Sequence, residues 1–225
     1  MQTKQVFAWA SYDLANTIFS ALFVTFFFPF YIKNFLHGNE FQIGLVFGTS
    51  MLLVALVVPV LGAISDKLKR RMPFIIFFTI VCCIFTLLVA FSGLYAALLF
   101  GLVANFCYHA ALTMYHALLP RVSTSSKIGK VSGIGVAMGY IGTIISLIIA
   151  YPILRKIGWE TLKGTKAMLI TTAILFLLFS LIIFFFIREK KYTKTNLIKS
   201  HIINSLRDVK NTFTKLKAQK GLIPF

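Results

Sequence analysis

Acidic side chains are scarce in this sequence: six Asp and Glu stand against 23 Lys and Arg in 225 residues. Charge of either sign makes up only 13% of the chain, while 58% is hydrophobic and 15% aromatic. So little charge cannot cover the surface of a soluble domain of this size, which excludes that class. A net charge of +17 would point to nucleic acid in a soluble protein. In a chain with mean hydropathy +0.86, the basic residues belong instead at the cytoplasmic ends of membrane helices. The expected partner is the lipid bilayer, and nucleic acid is not expected. Cysteine is scarce too. The three, Cys82, Cys83 and Cys107, lie in apolar runs without metal-ligand spacing, so neither a disulfide framework nor a metal site is read. A metal-ligand triplet, a nucleophile elbow and a phosphate-cradling loop are all missing, so an enzyme is not expected and no cofactor is implied. MQTKQ leads into the first apolar run without a clear small-residue cleavage site, which favours a retained helix over a signal peptide.

What the sequence has in abundance is long apolar runs. Six are legible, at about 5–32, 41–64, 73–92, 95–119, 131–154 and 166–187. Each reaches the roughly 20 residues that a helix needs to cross a bilayer. The runs are continuous rather than alternating, which favours helices over a membrane barrel. The expected fold is an all-α integral membrane protein, a bundle of six transmembrane helices over residues 1–187. A basic segment follows at 188–225. Lys4, the loop with Lys67, Lys69, Arg70 and Arg71, the loop with Arg121, Lys127 and Lys130, and the tail from Arg188 hold 18 of the 23 basic residues. The positive-inside rule therefore places both termini in the cytoplasm. In the tail, Ile198, Ile202, Leu206, Val209, Phe213 and Leu216 recur at helical spacing with basic residues between them. Such a helix lies on an anionic membrane surface or packs under the bundle.

The helices are unequal in polarity. The third and sixth carry only Thr, Ser and Cys as polar interruptions and are expected at the periphery, able to face lipid all round. In the first, Trp9, Asp13, Asn16 and Ser20 form one helical stripe; in the fourth, Asn105, His109, Thr113 and His116 form another. Tyr12, Tyr108 and Tyr115 lie beside these stripes. Polar groups in lipid need partners or a wet cavity, so a polar interior shared by helices one and four is expected. In the fifth, Ser132, Gly135, Gly139, Gly142 and Ser146 make a face of small residues, suited to close packing or to a sliding surface. Polar first and fourth helices with apolar third and sixth give a 3+3 pattern, as in an inverted repeat.

Two stretches carry a more specific signal. GAISDKLKRR, with Gly62, Asp66, Lys67, Arg70 and Arg71, resembles the loop between helices two and three of the major facilitator superfamily; Lys69 stands at the motif's second Gly. WASYDLANTIFS and MYHALLPRVSTSSKIGKVSGIGVAMGYIGT resemble the "unknown major facilitator" family, which includes the autophagy-related vacuolar amino-acid effluxers. The matching residues are Tyr12, Asp13, Ala15 and Asn16, then Tyr115, Leu118, Leu119 and Pro120, then Ser132, Gly133, Gly135, Gly139, Tyr140 and Gly142. His116 replaces the family's Asn. The resemblance implies the N-terminal half of a twelve-helix major-facilitator fold, with a second six-helix half as partner and a seventh helix beyond GLIPF. It further implies a secondary transporter of small, amino-acid-like solutes working by alternating access, in a prokaryotic plasma (inner) membrane.

An ionisable group inside a membrane helix is by default a functional candidate. Asp13 either faces the cavity as a proton or amine site, or locks the fold at helix ends. His109 and His116 are proton relays, substrate ligands or satisfied packing. A proton is the expected coupling ion, because Asp13 and both His titrate. The expected solute and proton pathway is Tyr12, Asp13, Asn16, Asn105, His109 and His116. Gly62, Asp66, Lys67, Arg70 and Arg71 form the expected gate. The competing reading is a half-carrier that acts as a non-transporting or partner-dependent membrane subunit.

Overall fold

The computed structural model describes residues 3–187 and Glu189; the amphipathic pattern expected at 198–216 lies outside the described residues. Six helical segments are long and apolar enough to cross a membrane, and no strand occurs among the described residues.

The first span, Lys4–Asn34, changes pitch along its length. It begins as α1 (Thr3–Phe19), widens into a π-helical stretch (Ser20–Phe27) and resumes as α2 (Phe28–Asn34). Pro29 explains the change. It has no N–H, and its ring would clash with the carbonyl one α-turn back, so the wider turn before it relieves the strain. Two contacts show the five-residue reach of that turn: the Phe28 N–H donates to the Phe23 carbonyl, and Thr25 Oγ1 donates to the Ser20 carbonyl at 3.0 Å.

The second span is α3 (Glu40–Leu68). A capping box starts it: Asn39 Oδ1 accepts from the Gln42 N–H at 2.9 Å, and Gln42 Oε1 accepts from the Asn39 N–H at 3.0 Å. Such a cap is worth about 1 kcal/mol. The third span is α4 (Met72–Val89), with Pro73 in its first turn, where the missing N–H costs nothing. The fourth joins α5 (Leu94–His116) to the short α6 (Leu119–Val122). A 3₁₀ turn at Ser125–Lys127 leads into the fifth span, α7 (Ile128–Ile157). Gly158 ends α7 at φ +113°, a backbone region that side-chain-bearing residues rarely enter. The sixth span, α8 (Leu162–Phe186), is capped by Thr161 Oγ1, which accepts from the Gly164 N–H at 3.0 Å.

The helix order sets the core. α1 lies between α7 and α8, α4 packs against both α5 and α8, and α3 rests on α5. The centre is aromatic: Tyr12, Phe19, Phe23, Tyr108, Tyr115 and Phe176 pack ring on ring. This corrects the expected peripheral placement of the third and sixth helices. One face of each is buried, with Cys82, Cys83 and Thr79 on α4 and Leu169, Thr172, Ala173 and Phe176 on α8 all in the interior. The most exposed spans are the second and fifth. Only 11% of the most apolar window of the second is buried, against 50% in the first and fourth. Hydrophobicity cannot separate these roles, because a Leu or Phe side chain suits lipid and a packed interior equally.

Candidate functional site

The site is assembled from α1, α5 and α7. Trp9 stacks on Tyr115 with ring centroids 4.6 Å apart, and its indole N–H donates to the Tyr115 carbonyl at 3.3 Å. One helical turn on from Trp9, Asp13 is half-buried, and no described residue hydrogen-bonds its carboxylate. His116, exposed at the end of α5, lies within electrostatic range of that carboxylate. One further turn along α1, Asn16 is 2% exposed, and neither of its amide atoms has a hydrogen-bond partner among the described residues. An unpartnered buried amide is costly, and such groups mark places that a water or ligand completes. The Tyr115 hydroxyl is likewise buried and unpartnered.

α7 holds α1 in place through its glycines. A Cβ on Gly135 would lie 2.8 Å from the Trp9 ring and 3.2 Å from Asp13 Oδ2. One on Gly139 would lie 2.8 Å from Thr17 Oγ1, and one on Gly142 2.5 Å from the Leu14 carbonyl oxygen. Ser132 is half-buried on the same helix, and Ser146 is buried. The small residues let the two backbones meet, and this puts the Asp13 carboxylate against α7.

The structure brings together only some of the expected pathway. Asp13 on α1 and His116 on α5 lie within electrostatic range of each other, and Asn16 is buried one turn from Asp13. Tyr12 does not join them: it is fully buried, and its hydroxyl shares a 2.6 Å hydrogen bond with Thr79 Oγ1 on α4. Asn105 points to α3, donating from Nδ2 to Ser50 Oγ at 2.6 Å. The α5 stripe is therefore divided. Its Asn105 end is buried under α3, His109 is half-buried, and Thr113 and His116 are exposed. A hollow of about 260 Å³ opens between α3 and α5, lined by Thr113, Pro59, Gly62 and Asp66.

The basic loop is tied more tightly than its sequence suggests. Asp66 pairs with Arg71 at 2.5 Å, but the Asp66 side chain is largely exposed, and such pairs contribute only about 0–1 kcal/mol. Ser65 Oγ donates to the Gly62 carbonyl at 2.8 Å, and the Arg70 N–H donates to the Ser65 carbonyl at 3.1 Å, closing the end of α3 beyond Lys67. Lys69 adopts a left-handed φ of +51°. The residue that organises the loop is Glu189. Its side chain, 7% exposed, accepts from the Arg71 N–H at 2.7 Å, the Met72 N–H at 3.0 Å and Arg121 Nη1 at 2.6 Å. Arg121 Nη1 also donates to the Lys69 carbonyl at 3.0 Å. Sequence reasoning missed both Glu189 and Arg121. The available signal was one carboxylate placed just past the last apolar residue of the sixth span, inside a basic run.

The sequence has counterparts among known proteins. The sequence profile of the Major Facilitator Superfamily matches residues 14–223. The chain belongs to the Major Facilitator Superfamily. It is similar to the "Uncharacterized MFS-type transporter YxiO" of Bacillus subtilis, 26% identical over 99% of this chain and 55% of that protein. An "Uncharacterized protein" of Aquifex aeolicus is 32% identical over 63% of this chain and 36% of its own length. The chain thus spans about half the length, or less, of the curated relatives it matches. No solved structure matches it. As a member of this superfamily with six candidate membrane helices, it is a multi-pass membrane protein.

Proposed function

We propose that this chain forms one wall of a secondary active transporter that moves small solutes by alternating access, with Asp13 as its proton-linked group. The observation that carries the reading is the Asp13–His116 juxtaposition. A carboxylate without a hydrogen-bond donor among the described residues, half-buried on a membrane helix, lies within electrostatic range of an imidazole on a second helix. Two titratable groups so placed can exchange a proton when the surrounding helices rearrange. The orphaned Asn16 amide one turn along α1 supplies an NH2 donor group and a carbonyl acceptor for a polar solute. Resemblance to the "unknown major facilitator" family favours amino-acid-like solutes, because a zwitterion suits a site with a carboxylate, an imidazole and an amide. Helix ends and the Asp66–Arg71 loop act as the gate, with Glu189 and Arg121 anchoring it. The N-terminus and both basic loops face the cytoplasm of a prokaryotic cell, by the bias in basic residues.

A second half completes the cavity. The relatives' greater length supports this, as does the exposure of α3, of α7 and of the Thr113–His116 face of α5. Transport is therefore measured on this chain together with its complementary half, in vesicles with a panel of labelled amino acids, with and without a pH gradient. Asp13→Asn keeps the side chain's size and removes its charge. The expected outcome is loss of gradient-driven accumulation with exchange retained. Joint loss of exchange and accumulation would make Asp13 a fold lock instead, and unchanged accumulation in a well-expressed variant would defeat the coupling role. If the complete protein moves no solute at all, the chain acts as a membrane subunit.

A further inference from the structure

The connection between α7 and α8, at the end of the bundle opposite the Asp66–Arg71 loop, carries more positive charge than the fold uses. Between residues 155 and 166, Arg155, Lys156, Lys163 and Lys166 stand against a single acid, Glu160, for a net +3. Lys33 and Glu40, at the same end, pair with each other. None of the four basic side chains has an ion pair or hydrogen bond among the described residues. Arg155 and Lys156 lie in the last turn of α7, where the helix dipole favours cations. Lys163 and Lys166 have no such use. They lie at the start of α8, whose first turn has no acid, and a cation there opposes the dipole. Their charge is left for a counter-charge from outside the chain.

The surroundings say where that counter-charge lies. Exposed Lys163 heads an apolar stripe along α8: Ala167, Ile170, Ile174, Leu178 and Phe185 follow it at helical spacing. The last three are more than half exposed. α4 packs beside α8, and its Phe77, Ile80, Ile84 and Leu88 are exposed too. Neither helix belongs to the faces of α3, α5 and α7 that a second half would cover. In a membrane-spanning bundle, an open apolar wall of this kind meets acyl chains. The depth is marked by Trp159, in the connection itself, and Tyr151, near the end of α7. Both are exposed, and their rings stand edge-on at 5.9 Å. Exposed Trp and Tyr collect at headgroup level. The two lysines therefore stand at the depth of the lipid phosphates, above the chains that lie along α8, and their long stems let the ammonium groups reach outward.

We propose that the outer surface of α8 at its start binds an anionic phospholipid, with the phosphate at Lys163 and Lys166, the field of Arg155 and Lys156 adding to theirs, and an acyl chain along Ala167, Ile170 and Ile174. The occupant is a lipid of the surrounding bilayer and not a transported solute, so the test stands apart from the carrier reading. It is photocrosslinking of a diazirine-bearing phosphatidylglycerol, diluted into phosphatidylcholine nanodiscs that hold the 225-residue chain, with the labelled residues mapped by mass spectrometry. Saturable labelling within residues 162–178 is expected. Unlabelled phosphatidylglycerol should compete at least about fivefold better than phosphatidylcholine, because each cation near an anionic surface is worth roughly fivefold in affinity. Lys163→Gln combined with Lys166→Gln should lower the labelling by at least about fivefold, while Lys163→Arg with Lys166→Arg should stay within about twofold of the parent. Lys127→Gln with Lys130→Gln, at the other end of the bundle, should leave that stretch unchanged. Thermal unfolding in the same nanodiscs verifies the fold of each variant. Labelling of the parent should also fall as sodium chloride rises, a readout that needs no variant. Equal competition by phosphatidylcholine, labelling insensitive to salt, or unchanged labelling in the folded double Gln variant would overturn the proposal. Displacement by inorganic phosphate beyond that by sodium chloride at matched ionic strength would make the cluster a site for free anions and overturn it equally.

Discussion

Asp13 lies against the small-residue face of α7: its Oδ2 is 3.2 Å from where a Cβ on Gly135 would stand. The position of the carboxylate is therefore a consequence of backbone contact between two helices. α7 cannot shift or rotate on α1 without moving the Asp13 surroundings. This links packing to function at a single residue pair.

Alanine substitutions along α7 should follow that geometry. At Gly142 an added Cβ meets the Leu14 carbonyl oxygen, a backbone atom that cannot turn aside, at 2.5 Å. Gly142→Ala should destabilise by about 3 kcal/mol, because only separating the helices relieves the clash. Gly135→Ala meets the Trp9 ring at 2.8 Å and should cost about 1–2 kcal/mol, since a side chain can give way. Gly133→Ala meets nothing within 4 Å and should be neutral or slightly stabilising. Thermal unfolding in detergent, with the three variants in parallel, gives the ranking.

Lys69 holds a backbone shape suited to glycine, φ +51°, at the end of α3. A side chain there costs roughly 1–2 kcal/mol, while glycine adds some freedom to the unfolded chain. Lys69→Gly should therefore raise stability by about 0.5–1 kcal/mol. The variant's unfolding midpoint in denaturant, compared with that of Lys67→Gly inside the helix, decides it. Lys67→Gly should move the midpoint the other way.

Glu189 caps α4 and neutralises Arg121 from a nearly buried position. Glu189→Ala removes the acceptor for two backbone N–H groups and leaves a partly buried guanidinium unpaired. The expected loss is about 2–3 kcal/mol. Glu189→Gln keeps one acceptor and should lose less. Arg121→Ala combined with Glu189→Ala should cost less than the sum of the two, and a double-mutant cycle on unfolding free energies measures that coupling.

The orientation of the bundle has a direct chemical readout. The natural cysteines, Cys82, Cys83 and Cys107, are all buried, so an introduced surface cysteine reports alone. Lys163→Cys, at the start of α8, should react with a membrane-impermeant maleimide added to intact cells. Lys127→Cys, between α6 and α7, should react only after the cells are opened. The reverse pattern would refute cytoplasmic termini.

The class of this protein was already legible in its composition and in its runs of apolar residues. A chain that carries 13% charge and six runs of membrane length has few other ways to satisfy its backbone. The stripe containing Asp13 was legible too, because helical periodicity needs only the primary sequence. The tertiary structure decided what each stripe faces. Asn105 and His116 share a face of α5, but α3 covers one and leaves the other open, and no periodicity encodes where a neighbouring helix diverges. The apolar third and sixth spans turned out to carry buried faces, because lipid and protein interior reward the same side chains. The π-helical turn before Pro29 shifts the register of the first span's C-terminal end, and with it the faces of Phe26, Phe27 and Phe30. Glu189 gained its role only when the end of α8 came beside the start of α4, a contact 118 residues apart in the chain. Hydrophobic patterning is local and survives reading in one dimension. Caps between helices, close glycine contacts and cavities are made by segments far apart in sequence, so only the folded chain defines them.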